Sequence, residues 1–155
     1  MEHKYRLIDA ELIISDSVIS RLCMFKQTSF DSRESGGLLI GRTDINGKTR
    51  IFELTEPMAN DIRSKITFRR KDTKHLKILS EMNNKCLYYK GNWHTHPQAS
   101  PSPSCIDTIS WKRAIIKTKP GESDYIYFVI VGTDNIKVWC GDMKTHYIGE
   151  MEREV

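Results

Sequence analysis

Two histidines one residue apart, His94 and His96, sit in Trp93-His94-Thr95-His96-Pro97, and Ser104-Cys105-Ile106-Asp107 follows shortly after. Imidazole nitrogens and carboxylate oxygens are the usual ligands of catalytic zinc, and three of them leave a fourth tetrahedral position open. His94 and His96 lie at the end of a segment that reads as a strand, so their rings share one face and can converge. Asp107 falls in the first turn of a helix expected to start at Ser104, where the positive end of the helix dipole suits a carboxylate. Glu34, far upstream in Glu34-Ser35-Gly36-Gly37, offers a general base. The set predicts a hydrolase that activates water on one zinc ion held by His94, His96 and Asp107. Singly, each piece has a plainer explanation: a surface strand for His-x-His, a capping-box variant for Ser-x-x-Asp, a turn for Glu before Gly-Gly. The weight lies in their joint occurrence.

The elements needed to position these residues can be read along the chain. The 155 residues suit one domain, taken as 1–155, with room for a real core. At 39% hydrophobic and 28% charged, the composition is that of a soluble globular protein. No apolar run approaches the ~20 residues of a membrane span. The start, Met1-Glu2-His3-Lys4, does not read as a signal peptide, so a cytoplasmic location is expected. Cys23, Cys86, Cys105 and Cys140 form no Cys-x-x-Cys pair, which excludes a zinc ribbon, and reduced, mostly buried thiols are expected. The net charge is +4, with basic clusters at Arg69-Arg70-Lys71 and Lys112-Arg113. They read as a solvated face, because no nucleic-acid module accompanies them.

Leu12 to Ile14 reads as a short strand. Asp16 is expected to cap a helix to about Gln27 with Val18, Leu22 and Phe25 on one side. Gly36 to Arg42 is a continuous apolar run, a buried strand, and Asn46-Gly47 turns it into a partner strand, Thr49 to Leu54. Residues 57–64 look irregular, with a short strand over Ile66 to Arg69. Asp72 is expected to cap a helix to about Lys85, burying Leu76, Leu79 and Met82. Leu87 to His96 is the next strand, and the proline-bearing loop from Pro97 to Pro103 leads to a helix from Ser104 to about Lys117. Tyr125 to Val131 and Ile136 to Cys140 form a hairpin, with a last strand at Tyr147-Ile148. His75 reads as a packed or half-exposed helix residue, His3 and His146 as exposed, and Trp93 and Trp111 as core aromatics. The order of elements predicts an α/β (α+β) domain, a mixed sheet with helices packed on it.

Glu34, then His-Thr-His-Pro at 94–97, six residues, and Ser-x-x-Asp at 104–107 resemble the JAMM motif of the JAB/MPN metallopeptidases. The likeness spans about residues 10 to 140 and implies the JAB/MPN fold, a curved mixed sheet flanked by helices. Thr55-Glu56-Pro57, Asp61, Arg63, Phe68-Arg69-Arg70-Lys71-Asp72, His75 and Gly91-Asn92-Trp93 further resemble the small prokaryotic JAB subfamily found in CBASS anti-phage operons, although Asn92 stands where that subfamily more often has Glu.

The resemblance implies one catalytic Zn2+ on His94, His96 and Asp107, Glu34 as the residue that takes the proton of water, and Ser104 as a hydroxyl donor to the oxyanion. It implies a peptidase or isopeptidase that cuts after the extended, glycine-type C-terminal tail of a conjugated protein. In the defence operons this is a nucleotidyltransferase (a CD-NTase) joined to targets by an E1/E2-like enzyme. The stretches after Pro57 and from Lys117 to Asp124 are short, leaving little surface for a large partner. Two other readings stay open: a peptidase that processes a ubiquitin-like sulfur carrier, and a non-catalytic MPN scaffold. Partners in the membrane or of nucleic acid are not expected.

Overall fold

The computed structural model describes residues 2–121 and 123–155. Met1, the first residue of the expected domain and of the leader reading, lies outside the described residues, as does Glu122 within the expected 117–124 turn. The elements in order are β1 (Glu2–Leu7), β2 (Ala10–Ser15), α1 (Asp16–Cys23), β3 (Gly36–Thr43), β4 (Lys48–Leu54), β5 (Ile62–Arg63), β6 (Phe68–Arg69), α2 (Lys74–Asn83), β7 (Tyr88–Thr95), α3 (Cys105–Lys117), β8 (Tyr125–Val131), β9 (Ile136–Asp142), β10 (Ile148–Glu150) and β11 (Glu152–Glu154). Nine strands form one mixed sheet in the order β10-β9-β8-β7-β3-β4-β2-β1-β11, parallel at β2/β4 and β7/β8, and β5-β6 is a separate ribbon. This is the mixed sheet with flanking helices that the pattern predicts.

β3 is buried at all but one position, as expected of its apolar run, and it pairs on both sides with β4 and β7. Gly47, at φ +83°, makes the turn between β3 and β4 that a side chain would strain. Helices cover both faces of the sheet. α1 sets Val18 and Leu22 into the larger core, with Leu12, Leu39, Trp93 and Val129. α3 sets Trp111 and Ile115 onto Ile126, Phe128, Ile130 and Trp139 on the other face. Both tryptophans flanking the histidines are thus core residues, with Trp111 stacked on Phe128 at 4.7 Å.

Several local expectations are corrected. Ser15, not Asp16, caps α1 by accepting from the Val18 amide. The helix ends at Cys23, so Phe25 meets Trp93 from the following turn, at 5.4 Å. In α2 the fully buried residue is His75, while Leu76 is 55% exposed, because the helix is rotated to seat a polar contact. α2 begins at Lys74, whose amide is met by the Asp72 carboxylate at 2.9 Å. The 57–64 stretch contains β5. The cysteines are all free, yet Cys86 and Cys105 are exposed. His3 is largely covered, bonded to Asp16 and Arg153, whereas His146 is exposed as expected.

β1 and β11 are not among the elements expected from the sequence. β10 pairs with β9 on one edge, the Met151 amide bonds Val138 O, and β11 then pairs with β1 on the other edge. One C-terminal stretch therefore bridges both edges. No helix among the described residues is long and apolar enough to cross a membrane.

Candidate active site

β7 delivers His94 near its end and His96 just beyond it, and Thr95 between them faces the opposite side. There Thr95 is fully buried and holds the Glu34 segment: its hydroxyl accepts from the Ser35 amide (2.9 Å) and donates to Gln27 Oε1 (2.7 Å). Its own amide donates to Ser35 O at 2.9 Å. β3 and β7 pair at Gly36 and His94, so Glu34 arrives beside the histidine pair by register alone. Gly36 is needed here, because a Cβ would lie 2.5 Å from the Phe68 ring.

α3 brings Asp107. The Ser104 hydroxyl accepts from the Asp107 amide (3.1 Å), and Asp107 Oδ2 accepts from the Ser104 amide (2.9 Å), a complete capping box. The same Oδ2 lies 3.2 Å from His94 Nε2 and 3.1 Å from His96 Nε2, and the two Nε2 atoms are 3.1 Å apart. Each of these side chains is 12–15% exposed. Carboxylate and imidazole atoms of Glu34, His94 and His96 all lie within 4.8 Å of one another. The structure thus brings His94, His96, Asp107 and Glu34 together, with Ser104 at the helix start beside them.

Two imidazole nitrogens and a carboxylate oxygen in a near-equilateral triangle cannot all be satisfied by one proton. Ligands at about 2.0–2.1 Å from a tetrahedral zinc stand roughly 3.3 Å apart, close to the triangle seen. The donor set fits such an ion. A second layer orients it: His96 Nδ1 meets Gln98 Oε1 at 3.0 Å, and the same oxygen accepts from the Ser102 amide at 3.1 Å, which leaves Nε2 free to face the triangle. Trp111 packs edge-on to His94 at 6.4 Å.

Without a metal, the surroundings shift the protonation of Asp107, His96 and Glu34. Burial raises the Asp107 pKa, but the bonds from His94 and His96 outweigh it and hold the carboxyl well below its ordinary range. Burial lowers that of His96, and Asp107 and Gln98 more than reverse this. Glu34 is 3% exposed. Its pKa is raised to about 7, by burial first, with His96 opposing and Asp107 adding. A carboxylate poised there can accept and return a proton near neutral pH.

Glu34, His94, His96, Ser104 and Asp107 were legible from motif spacing. Thr95, Gln27, Arg63 and Gln98, which hold them, were not singled out for that work. Strand alternation does mark Thr95 as facing away from the histidines.

The profile of the family described as prokaryotic homologs of the JAB domain matches residues 17–141. A protein from Escherichia coli named CD-NTase/cGAS isopeptidase is 32% identical over 151 residues, 95% of this chain and 91% of its own length. One of the same name from Vibrio cholerae is 29% identical over 95% of this chain and 86% of its own length. At the level of fold, a solved structure from Desulfitobacterium hafniense superposes with a TM-score of 0.61 at 19% identity, covering 88% of this chain and 87% of that one. Another from Salinibacter ruber gives 0.52 at 16% identity, covering 92% and 88%. From the match over residues 17–141 and the relatedness along nearly its whole length, the chain belongs to the family of prokaryotic JAB-domain proteins.

Proposed function

We propose that this protein is a zinc-dependent isopeptidase that releases a CD-NTase-type protein from a target to which its C-terminus has been joined, as one domain acting in the cytoplasm in antiviral defence. The reading is carried by the triangle of His94 Nε2, His96 Nε2 and Asp107 Oδ2 at 3.1–3.2 Å, with the buried Glu34 carboxylate beside it. Support for the substrate comes from the relatives named CD-NTase/cGAS isopeptidase.

His94, His96 and Asp107 would hold the zinc. Bound there, it would supply Lewis acidity toward water and the scissile carbonyl. Glu34 takes a proton from the attacking water and passes it to the leaving lysine amine, so the C–N bond breaks to an acid and an amine. The Ser104 hydroxyl accepts from the Asp107 amide, which leaves its own proton to donate to the developing oxyanion. The tail lies extended, and glycine at its end suits a floor made of backbone and ligand side chains.

The test is intact-mass analysis of a CD-NTase–target conjugate incubated with the zinc-loaded protein and with Glu34→Ala. The expected result is the free CD-NTase with its native C-terminal carboxylate, and no release by Glu34→Ala. Failure to cleave by a protein that binds one zinc would reject this substrate and send the test to sulfur-carrier tails.

A further inference from the structure

The residues Thr55, Asp61, Arg63 and His75 stand far from the metal-type triangle in sequence, and the proposed reaction does not use them. In the structure Thr55, His75 and Asp61 form one polar network, and Arg63, two residues after Asp61, bonds the backbone of Glu34. The Asp61 carboxylate accepts four bonds: Lys71 and Asp72 amides on Oδ1 (2.8 and 2.9 Å), the Met58 amide and His75 Nε2 on Oδ2 (2.9 and 2.7 Å). Both side chains of the Asp61–His75 pair are 0% exposed. On its other side His75 Nδ1 meets Thr55 Oγ1 at 2.6 Å, and that oxygen accepts from the Leu38 amide in β3 at 2.8 Å. The network ties the start of the β5-β6 ribbon to α2 and to the sheet.

Arg63, on β5, then reaches from the ribbon to the site. Its Nε donates to Glu34 O at 2.8 Å and its NH2 group to Ser35 Oγ at 2.7 Å. The Glu34 amide donates to Ser64 O at 2.7 Å. Both backbone polar groups of Glu34 are thus bonded to residues 63 and 64. Ser35 is held from the other side by Thr95. The β6 residue Phe68 closes the ribbon against Gly36.

We propose that Arg63 is a positioning residue for the proton-accepting Glu34: its guanidinium fork, carried on the ribbon whose start the Asp61–His75–Thr55 network holds, fixes where that carboxylate stands relative to the histidine pair. This rests on the reading of Glu34 as the base. The fork spans two acceptors on adjacent residues. A lysine ammonium keeps the charge but has no planar fork to bridge both. Misplacing a catalytic group by about 1 Å can cost on the order of 100-fold in rate.

The experiment compares wild type, Arg63→Lys and Arg63→Gln in the zinc-loaded full chain. kcat and KM are measured on the conjugate, together with zinc stoichiometry, and amide hydrogen exchange is measured at residues 34 and 35 without substrate. The expected result is kcat reduced roughly 10- to 100-fold with KM within about twofold. One zinc per chain is retained, and exchange at residue 34 is about 2- to 10-fold faster, the loss of a net hydrogen bond. Arg63→Lys is expected to fall between wild type and Arg63→Gln and covers the case in which Arg63→Gln does not fold. Unchanged kcat, unchanged exchange, or zinc lost in parallel with activity would overturn the assignment. The exchange arm needs no turnover, so it decides the clamp even if the conjugate proves to be the wrong substrate.

Discussion

Ser104 and Asp107 bond each other twice, hydroxyl to amide and carboxylate to amide, and the carboxylate oxygen that closes this pair is the one that faces His94 and His96. The capping box and the metal-type triangle are therefore one construction: the local rule that starts α3 also aims Asp107. Ser104→Ala removes a cap worth about 1 kcal/mol. For a domain of this size that is a fall of roughly 3 °C in Tm. Turnover should fall by about 100-fold or more if the hydroxyl also donates to the oxyanion, with one zinc retained. Ser104→Thr should recover the Tm. Calorimetry and zinc analysis of both variants check this, and an unchanged Tm in Ser104→Ala would mean that the cap contributes nothing.

Removing a corner of the triangle should act differently from removing the base. His96→Ala and Asp107→Ala are expected to lose zinc and activity together, while Glu34→Ala keeps zinc and loses turnover. In the metal-free protein His96 holds a proton more tightly than an ordinary imidazole. Zinc must displace that proton. Apparent zinc affinity should therefore weaken as the pH falls through His96's raised pKa. Competition titration with a chelator at several pH values measures it, and a flat profile across pH 6–8 would count against the histidine assignment.

What the sequence revealed follows from the range of the forces involved. Alternation along β7, the apolar run of β3, the Asn46-Gly47 turn and the Ser104 cap are local, and each appears where the residues place it. The set Glu34, His94, His96 and Asp107 was legible only as a spacing. β3–β7 register turns that spacing into proximity. β1 and β11 carry no strand signal of their own: β1 is a charged stretch held in a hairpin with β2, and β11 is a charged stretch that pairs with β1 from the far end of the chain. His75 is packed, one of the two readings its helix allowed, but Leu76, which satisfies the apolar period, is the exposed neighbour. The helix turns His75 inward because Asp61 and Thr55, 14 and 20 residues upstream, offer it two bonds. Arg63 enters the sequence analysis only through the subfamily resemblance, with no role, since its acceptors are backbone and hydroxyl oxygens that no charge pattern marks.

The Asp61 junction should be among the most costly places to alter. Burial raises the Asp61 pKa, but bonds from the Asp72 amide, His75, and the Met58 and Lys71 amides outweigh it and hold it low. The carboxylate thus contributes stability above its unfolded pKa near 3.8, which is lost as the pH falls through the folded value. Asp61→Ala strands several donors at about 1–3 kcal/mol each. Even with partial rehydration the loss should reach about 3 kcal/mol, roughly 10 °C in Tm. Thermal unfolding at pH 7 checks it, and a shift under about 3 °C would show that water replaces the carboxylate freely.

Glu34 should make the metal-free protein less stable as the pH rises. Below about pH 4.5 the carboxyl is protonated both folded and unfolded and contributes nothing. Between 4.5 and about 7 the folded state keeps a proton that the unfolded chain releases, so stability declines with pH. Above about 7 the fold must carry a buried carboxylate, and the penalty is complete, on the order of 3 kcal/mol at 1.36 kcal/mol per pKa unit. Glu34→Gln has the same shape and no charge to bury. In the presence of a chelator its Tm should match wild type near pH 4.5, pull ahead through neutrality, and lead by up to about 10 °C at pH 8. Zinc should shrink that gap, because a cation beside the carboxylate favours its ionised form. Parallel melting curves for the two proteins from pH 4.5 to 8 would mean that Glu34 is solvated in the folded state, and its service as a base tuned by burial would fall with that result.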